Sequence, residues 1–228
     1  MRSVCAPFAQ NASCATFLKG ATLLNRLKVF CEGPTDIPIF EELVGQVGEA
    51  PKIVFADIAG WPGLRNKDPD FLLLGSSAAI VIMDGDQGRE LHKHDQPLTD
   101  LAEKQKNRLV RHGIDLHVLR RYGIENYIPQ YAVERVLGLD LSDYFPVPEH
   151  VPFTEHLSED NTGFRYRFRR WVASKLDLKM PRPRRPLYSK RQNSEVAKFI
   201  SLQAHLAGTD LFRIIEAIVQ RARELQED

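Results

Sequence analysis

One stretch of ten residues constrains the fold more than any other: Leu27-Lys28-Val29-Phe30-Cys31-Glu32-Gly33-Pro34-Thr35-Asp36. A short apolar run stops at a carboxylate, turns through Gly-Pro, and meets Thr35, a good N-cap residue. Beyond it Ile37, Phe40, Leu43, Val44 and Val47 recur at spacings of three and four, which predicts a helix from about Thr35 to Val47. Pro38 falls in the first turn, where a missing N–H costs little. A strand feeding a helix in this way is the repeating unit of α/β proteins. The same grammar returns at Ala78-Ala79-Ile80-Val81-Ile82-Met83, which delivers Asp84-Gly85-Asp86. Parallel α/β sheets place their chemistry at the carboxyl ends of their strands. If the two strands share a sheet, Glu32, Asp84 and Asp86 converge on one edge, and the reading is a magnesium site.

The rest of the chain extends the alternation. Lys52-Ile53-Val54-Phe55 predicts a second strand, Asp57 to Gly63 a turn-rich loop, and Phe71-Leu72-Leu73-Leu74 the body of a helix. Gln87 to Pro97 is polar and predicts an exposed loop. Leu98 to Arg111 predicts a helix stopped by Gly113. Asp115 to Leu119 predicts a fourth strand, and the run opening at Ile124-Glu125-Asn126-Tyr127 predicts one helix reaching about Leu137. The expected fold is therefore α/β: a Rossmann-like parallel sheet of about four strands flanked by helices, with right-handed crossovers. Three parts are expected: a lead-in over 1–25, a core over 26–140, and a basic helical C-terminal region over 141–228. The last part is marked by Pro146, Pro148 and Pro152, a basic helical stretch from Gly163 to Lys175, and a Pro/Arg loop from Met180 to Pro186. Two closing helices are predicted near Ser194–Ala207 and Asp210–Leu225.

Composition excludes more than it identifies. With 31 Lys and Arg against 30 Asp and Glu, net charge announces no partner, so only the distribution of charge is informative. No apolar run approaches the ~20 residues that span a bilayer, so no membrane partner is expected. Cys5, Cys14 and Cys31 are widely spaced and form no CxxC pair, which points to a reducing compartment and a cytoplasmic protein. His92 and His94 flank Lys93 in a polar loop and read as solvated. His117 falls inside a strand, and Cys31 does too, so neither suggests a hydrolase triad.

Glu32 with Gly33, followed by Asp84-Gly85-Asp86 after an apolar strand, resembles the Toprim domain, the catalytic module of topoisomerases, bacterial primases and several nucleases. The finer match is with the OLD (overcoming lysogenisation defect) nuclease family. There an apolar strand leads to Glu-Gly and then a second acid at the helix start. Here those are Glu32, Gly33 and Asp36, with Asp where Glu is usual. Ile124-Glu125-Asn126-Tyr127 resembles the pattern in which a further Glu joins the metal site. The resemblance spans roughly Leu27 to Leu137. It implies a Toprim-like core with Glu32, Asp36, Asp84, Asp86 and Glu125 as ligands for one or two Mg2+ (or Mn2+) ions. Glu32, Asp84 and Asp86 carry the catalysis, with Glu32 as ligand or as general base or acid. A late lysine that stabilises charge is also implied, with Lys190 the first candidate and Lys198 the second.

The residue types suit that chemistry. Phosphodiester hydrolysis needs an anionic transition state neutralised and a nucleophile generated near neutral pH. Magnesium does both with a few carboxylates and water. Each acid also has a structural reading: turn chemistry for Asp84-Gly85-Asp86, and helix-dipole complements for Asp36 and Glu125. Downstream, Arg165, Arg167, Arg169, Arg170, Arg182, Arg184 and Arg185 interleave with Phe164, Tyr166, Phe168 and Trp171, a composition suited to phosphates and unpaired bases. An amphipathic helix with solvated arginines would look the same. The expected function is a metal-dependent endonuclease acting on DNA. The alternatives are a ribonuclease acting on structured RNA such as tRNA, or a non-catalytic module that binds nucleic acid or a partner. The chain has no G-x-x-x-x-G-K-[ST] pattern, so the ABC-type ATPase that accompanies OLD nucleases is expected either from a partner in trans or not at all, the chain then being a stand-alone effector or a piece of a longer protein. The resemblance also implies a role in antiviral defence, and a homo-oligomer is compatible with the sequence.

Overall fold

A computed structural model describes residues 26–48, 52–157 and 187–227. The Arg165–Arg185 cluster named above lies outside them. Four strands form the sheet: β1 (Leu27–Cys31), β2 (Ile53–Asp57), β3 (Ala78–Met83) and β4 (Asp115–Val118). All pairings are parallel and the spatial order is β2-β1-β3-β4. The α/β, Rossmann-like expectation is met.

Strand alternation divides the core into two layers. Leu27, Val29 and Cys31 of β1 and Ala78, Ile80 and Ile82 of β3 face one side. There they meet Ile39, Phe40, Leu43 and Val44 of α1 (Ile37–Gly45). Phe30, Ala79, Val81 and Met83 face the other side, against Trp61 and Leu64 of α2 (Gly60–Asn66), Leu72 of α3 (Pro69–Leu73) and Leu109 of α5 (Asp100–Val110). All six residues of β3 are buried, as befits a central strand covered on both faces. Between β3 and α5 the chain makes a single short turn of helix, α4 (Gly85–Gly88).

The C-terminal elements complete the first layer: α6 (Gln130–Leu137), α7 (Phe153–His156), α8 (Asn193–Ala197), α9 (Leu202–Leu206) and α10 (Asp210–Glu227). Along α10, Leu211, Ile214, Ile215, Ile218, Val219 and Ala222 form one buried stripe that joins the same cluster as β1 and α1. Burying each large aliphatic of such a stripe is worth roughly 1.5–3 kcal/mol, so α10 is an integral part of the core. Among the described residues no helix is long and apolar enough to cross a membrane.

Several local expectations are corrected. Asp36, rather than Thr35, occupies the N-cap position of α1, and the Thr35 hydroxyl instead donates to Asp36 Oδ1 at 3.4 Å. The Asp57–Gly63 region is a loop only as far as Ala59. Ala59 and Gly60 both take left-handed backbone angles, which reverse the chain and let Trp61 and Leu64 of α2 reach the core. The single helix expected from Ile124 to Leu137 is a 3-10 turn, Ile124–Tyr127, followed by α6. Pro129 forces Ile128 into an extended conformation and separates the two. The helix expected over Ser194–Ala207 is likewise two, α8 and α9, because Ser201 stops the chain and caps α9 through its Oγ to Ala204 N–H.

Candidate functional site

The strand order creates the site. The chain leaves β1 toward β2 on one side, then returns across β1 to lay down β3 on the other. Adjacent strands whose connections diverge leave a crevice at their carboxyl ends. The register Phe30↔Val81 sets Glu32, two residues past Phe30, beside Asp84, three past Val81. Asp84 N–H donates to Glu32 Oε2 at 2.8 Å, so the first two acids are locked together across the crevice. Gly60 turns with φ +69° against Glu32, donates its N–H to the Glu32 carbonyl at 2.9 Å, and closes the β2 side.

The third wall comes from the loop after β4. Gly85 and Asp86 donate their N–H groups to the carbonyls of Arg121 and Tyr122 at 3.2 and 3.1 Å. That approach requires glycine at position 85, where a Cβ would stand 2.3 Å from the Arg121 carbonyl oxygen. Ile124 N–H donates to Asp84 Oδ1 at 3.1 Å, which brings the 3-10 turn and Glu125 onto the same crevice. A Cβ added at Gly123 would lie 3.0 Å from Asp84 Oδ2 and 3.2 Å from Glu125 Oε2, so these two oxygens flank one small space. Asn126, buried, holds the turn: its Oδ1 accepts from Gly123 N–H, and its Nδ2 donates to the carbonyls of Pro148 and Val151.

The fourth wall is C-terminal. Lys190 sits in a 3-10 turn, Lys190–Gln192, fixed by reciprocal bonds between Ser189 and Gln192. Its ammonium lies 3.1 Å from Glu125 Oε1. The same oxygen accepts a hydrogen bond at 3.0 Å from Nδ2 of Asn193, which is 1% exposed. Asn193 Nδ2 also donates to the Thr35 carbonyl at 2.9 Å, and Asn193 Oδ1 accepts from the Tyr188 hydroxyl. One buried amide thus ties the loop after β1, the acid of the 3-10 turn and the lysine turn together.

Asp36 is 3% exposed; its Oδ2 accepts from Gly33 N–H at 2.9 Å and braces the Glu32-Gly33 turn. Asp86, part-buried, accepts from Gln87 N–H through Oδ1 at 2.6 Å. Lys198, the second lysine considered, pairs with Glu195 on the exposed face of α8 and takes no part.

The electrostatics follow from this crowding. Burial pushes the Glu32 carboxyl up to about 7, the Asp84 N–H pulls it back, and the charges of Asp86 and Asp36 add to the rise. Asp84 is raised well above the usual carboxylate range by burial, then by Asp36, Glu32 and Glu125. Asp36 is raised by burial and by Glu125, and Asp86 by burial. Burial alone would ease the proton off Lys190, but Glu125, Asp84 and Asp36 outweigh it and hold its ammonium above the ordinary lysine value. Cys31, next to Glu32, is buried and its thiol is pushed far up by that burial, so it is no nucleophile at neutral pH.

The fold and this edge define an α/β protein with an acidic crevice at its strand switch point and a single lysine opposite. No protein-family model matches the chain, and no curated protein or solved structure matches it. The sequence reasoning named Glu32, Asp36, Asp84, Asp86, Glu125 and Lys190, and these six side chains share the crevice. It missed Asn193 and Gly123.

The crevice suits a hard divalent cation by its donor chemistry. It offers carboxylates whose proton affinity is raised first by burial and then by one another's charge, with Asp84 Oδ2 and Glu125 Oε2 facing a common space. Among the described residues no three His, Cys, Asp or Glu side chains already stand together as a metal-ligand set.

Proposed function

We propose that the chain is a metal-dependent nuclease of Toprim-like type that hydrolyses nucleic-acid phosphodiesters, with Mg2+ or Mn2+ as cofactor and DNA as substrate. The observation that carries this reading is the meeting of Glu32, Asp84 and Glu125, with Lys190 opposite, at the switch point of a parallel sheet. Asp84, Asp86, Glu32 and the second oxygen of Glu125 would hold one or two ions, while Asp36 braces the turn that presents Glu32. A bound ion of this kind lowers the pKa of water and neutralises charge on a phosphoryl oxygen.

The chain's own groups supply the rest. Glu32, where it is left off the ions by Asp84, Asp86 and Glu125, would serve as the carboxylate that accepts or returns a proton during attack on phosphorus. Lys190, held charged by the acids around it, offers a fixed cation to the phosphate as negative charge builds. The turns around Gly60 and Gly123 hold backbone close against the carboxylates. A second reading, a module that binds nucleic acid without cutting it, is favoured by the absence of a ready-made ligand set among the described residues and by Lys190 already pairing with Glu125.

Cleavage separates the two. Plasmid DNA and total tRNA are incubated with the wild type and with an Asp84→Ala/Asp86→Ala variant, in Mg2+, Mn2+ or EDTA. The nuclease reading predicts cutting by the wild type that needs metal and that the variant lacks, and the polymer cut identifies the substrate. Binding without cutting under every condition would transfer the conclusion to the binding module.

A further inference from the structure

Beside the acidic crevice the surface changes sign. Two adjoining hollows of about 540 and 320 Å3 share Arg120, Asp210 and Arg213 and run between the loop after β4 and the first turn of α10. Lys106 of α5 lies at one end, and Arg121 and Glu149 at the other. Arg120, Lys106 and Arg213 are exposed, and none of them forms an ion pair among the described residues. Five basic side chains, Arg89, Lys106, Arg120, Arg121 and Arg213, line the two hollows against three acids, Asp95, Glu149 and Asp210, which keep their charge but are outnumbered. Asp210 accepts from the Tyr127 hydroxyl at 2.7 Å and from Arg120 N–H at 2.8 Å, and Glu149 pairs with Arg121 at 3.4 Å. Asp95, in the larger hollow, is the remaining carboxylate.

We propose that this groove is a phosphate-backbone track, in which the guanidinium groups of Arg120 and Arg213, with Lys106, hold the strand on one side of the bond to be cut. The inference rests on the nuclease reading and adds where the strand lies. Three arguments carry it. The groove and the crevice share a wall, because the Arg121 and Tyr122 carbonyls that accept from Gly85 and Asp86 belong to the segment that carries Arg120. A strand following the row of cations is therefore led to the carboxylates. No Phe, Tyr or Trp lines the groove, whose only rings are the imidazoles of His94 and His117, so its cations suit a sugar-phosphate backbone better than a run of stacked bases. Finally, the walls are rigid. Arg89 donates to the carbonyls of Val118, Leu119 and Gln96, and the Tyr127–Asp210 bond pins α10 to the loop after β4. Guanidinium groups on fixed walls bind phosphate with little ordering cost.

The test uses the full chain and an Arg120→Ala/Arg213→Ala variant, both substitutions lying on the exposed surface. A fluorescein-labelled single-stranded oligonucleotide is titrated in EDTA over 50–300 mM salt, and cleavage is followed in Mg2+. The proposal expects binding to weaken at least about tenfold at the lowest salt, and the slope of log affinity against log salt to fall by about 1.4, two phosphate contacts of ~0.7 each. Cleavage should lose its efficiency mainly through KM. A wild type that binds and cuts, with a variant whose affinity and salt slope stay within twofold of it, would place the strand elsewhere and overturn the groove while leaving the nuclease reading intact. A wild type that neither binds nor cuts would overturn both.

Discussion

Replacing Asp84 by Asn is expected to abolish metal-dependent cleavage while making the metal-free protein more stable. The loss in rate should reach ~10²–10³-fold, the scale on which removing one preorganised electrostatic group is felt. The gain in stability has a separate cause. In the absence of metal, Asp84 is buried beside Asp36, Glu32 and Glu125, and its ionised form is disfavoured by every one of them. Asn keeps the acceptor for Ile124 N–H and turns the oxygen facing Glu125 Oε2 into a donor.

The pH dependence carries the same signature. Glu32, with a native value of about 7 against an unfolded one of 4.5, binds more protons folded than unfolded, as do Asp36 and Asp84. Their contribution to stability is fully present below the unfolded values and is lost as pH rises through the folded ones. In EDTA the melting temperature should therefore fall between pH 4.5 and 7, and Asp84→Asn should flatten that fall. At pH 7.5 the variant should melt higher, by about 2–4 °C for each kcal/mol relieved. A variant that melts lower than the wild type in EDTA at every pH would mean that the carboxylates are not in conflict.

The second large effect is at Asn193. Substitution by Leu fills a similar volume but leaves the Thr35 carbonyl and the Tyr188 hydroxyl without their partner and Glu125 held by Lys190 alone. Each buried polar group left unpaired costs about 1–3 kcal/mol, so a drop of several kcal/mol in unfolding free energy is expected. Cleavage should fall as well, since the amide aligns Glu125 with the turn that bears Glu32. Asn193→Asp separates the two effects. It keeps the volume and an acceptor for Tyr188 but sets a further carboxylate against Glu125. Urea unfolding and cleavage rates measured on both variants check this. A Leu variant of wild-type stability and activity would show that the amide is incidental.

What the sequence disclosed was governed by local pattern. The six apolar residues Ala78–Met83, ending at Asp84, could be little other than a buried strand, and Leu27–Cys31 ending at Glu32 was nearly as plain. Because both strand ends carry acids, the acidic edge is legible in the sequence itself. Breaks set by neighbours were less visible. Ile124 to Leu137 reads as one periodic segment, and only Pro129 hints at the break that keeps Glu125 in a 3-10 turn. Asn193 gave almost no signal. An Asn at a helix start reads as an ordinary cap, and its tie to Glu125 and Thr35 exists only once the C-terminal elements fold back over β1. Its one clue was spacing, one turn after Lys190. The groove cations were equally silent, since Arg120 and Arg213 are distant in sequence and each alone resembles any surface arginine.

The proposed nuclease stands or falls on whether the acids at the β1–β3 switch point hold a divalent cation. Calorimetric titration of Mn2+ into the metal-free wild type and Asp84→Asn, at pH 7.5, tests it most directly. Saturable binding of one or two ions to the wild type, with proton release, is expected, together with loss of that binding in the variant. Absence of binding to the wild type, or identical isotherms for the two proteins, would contradict it.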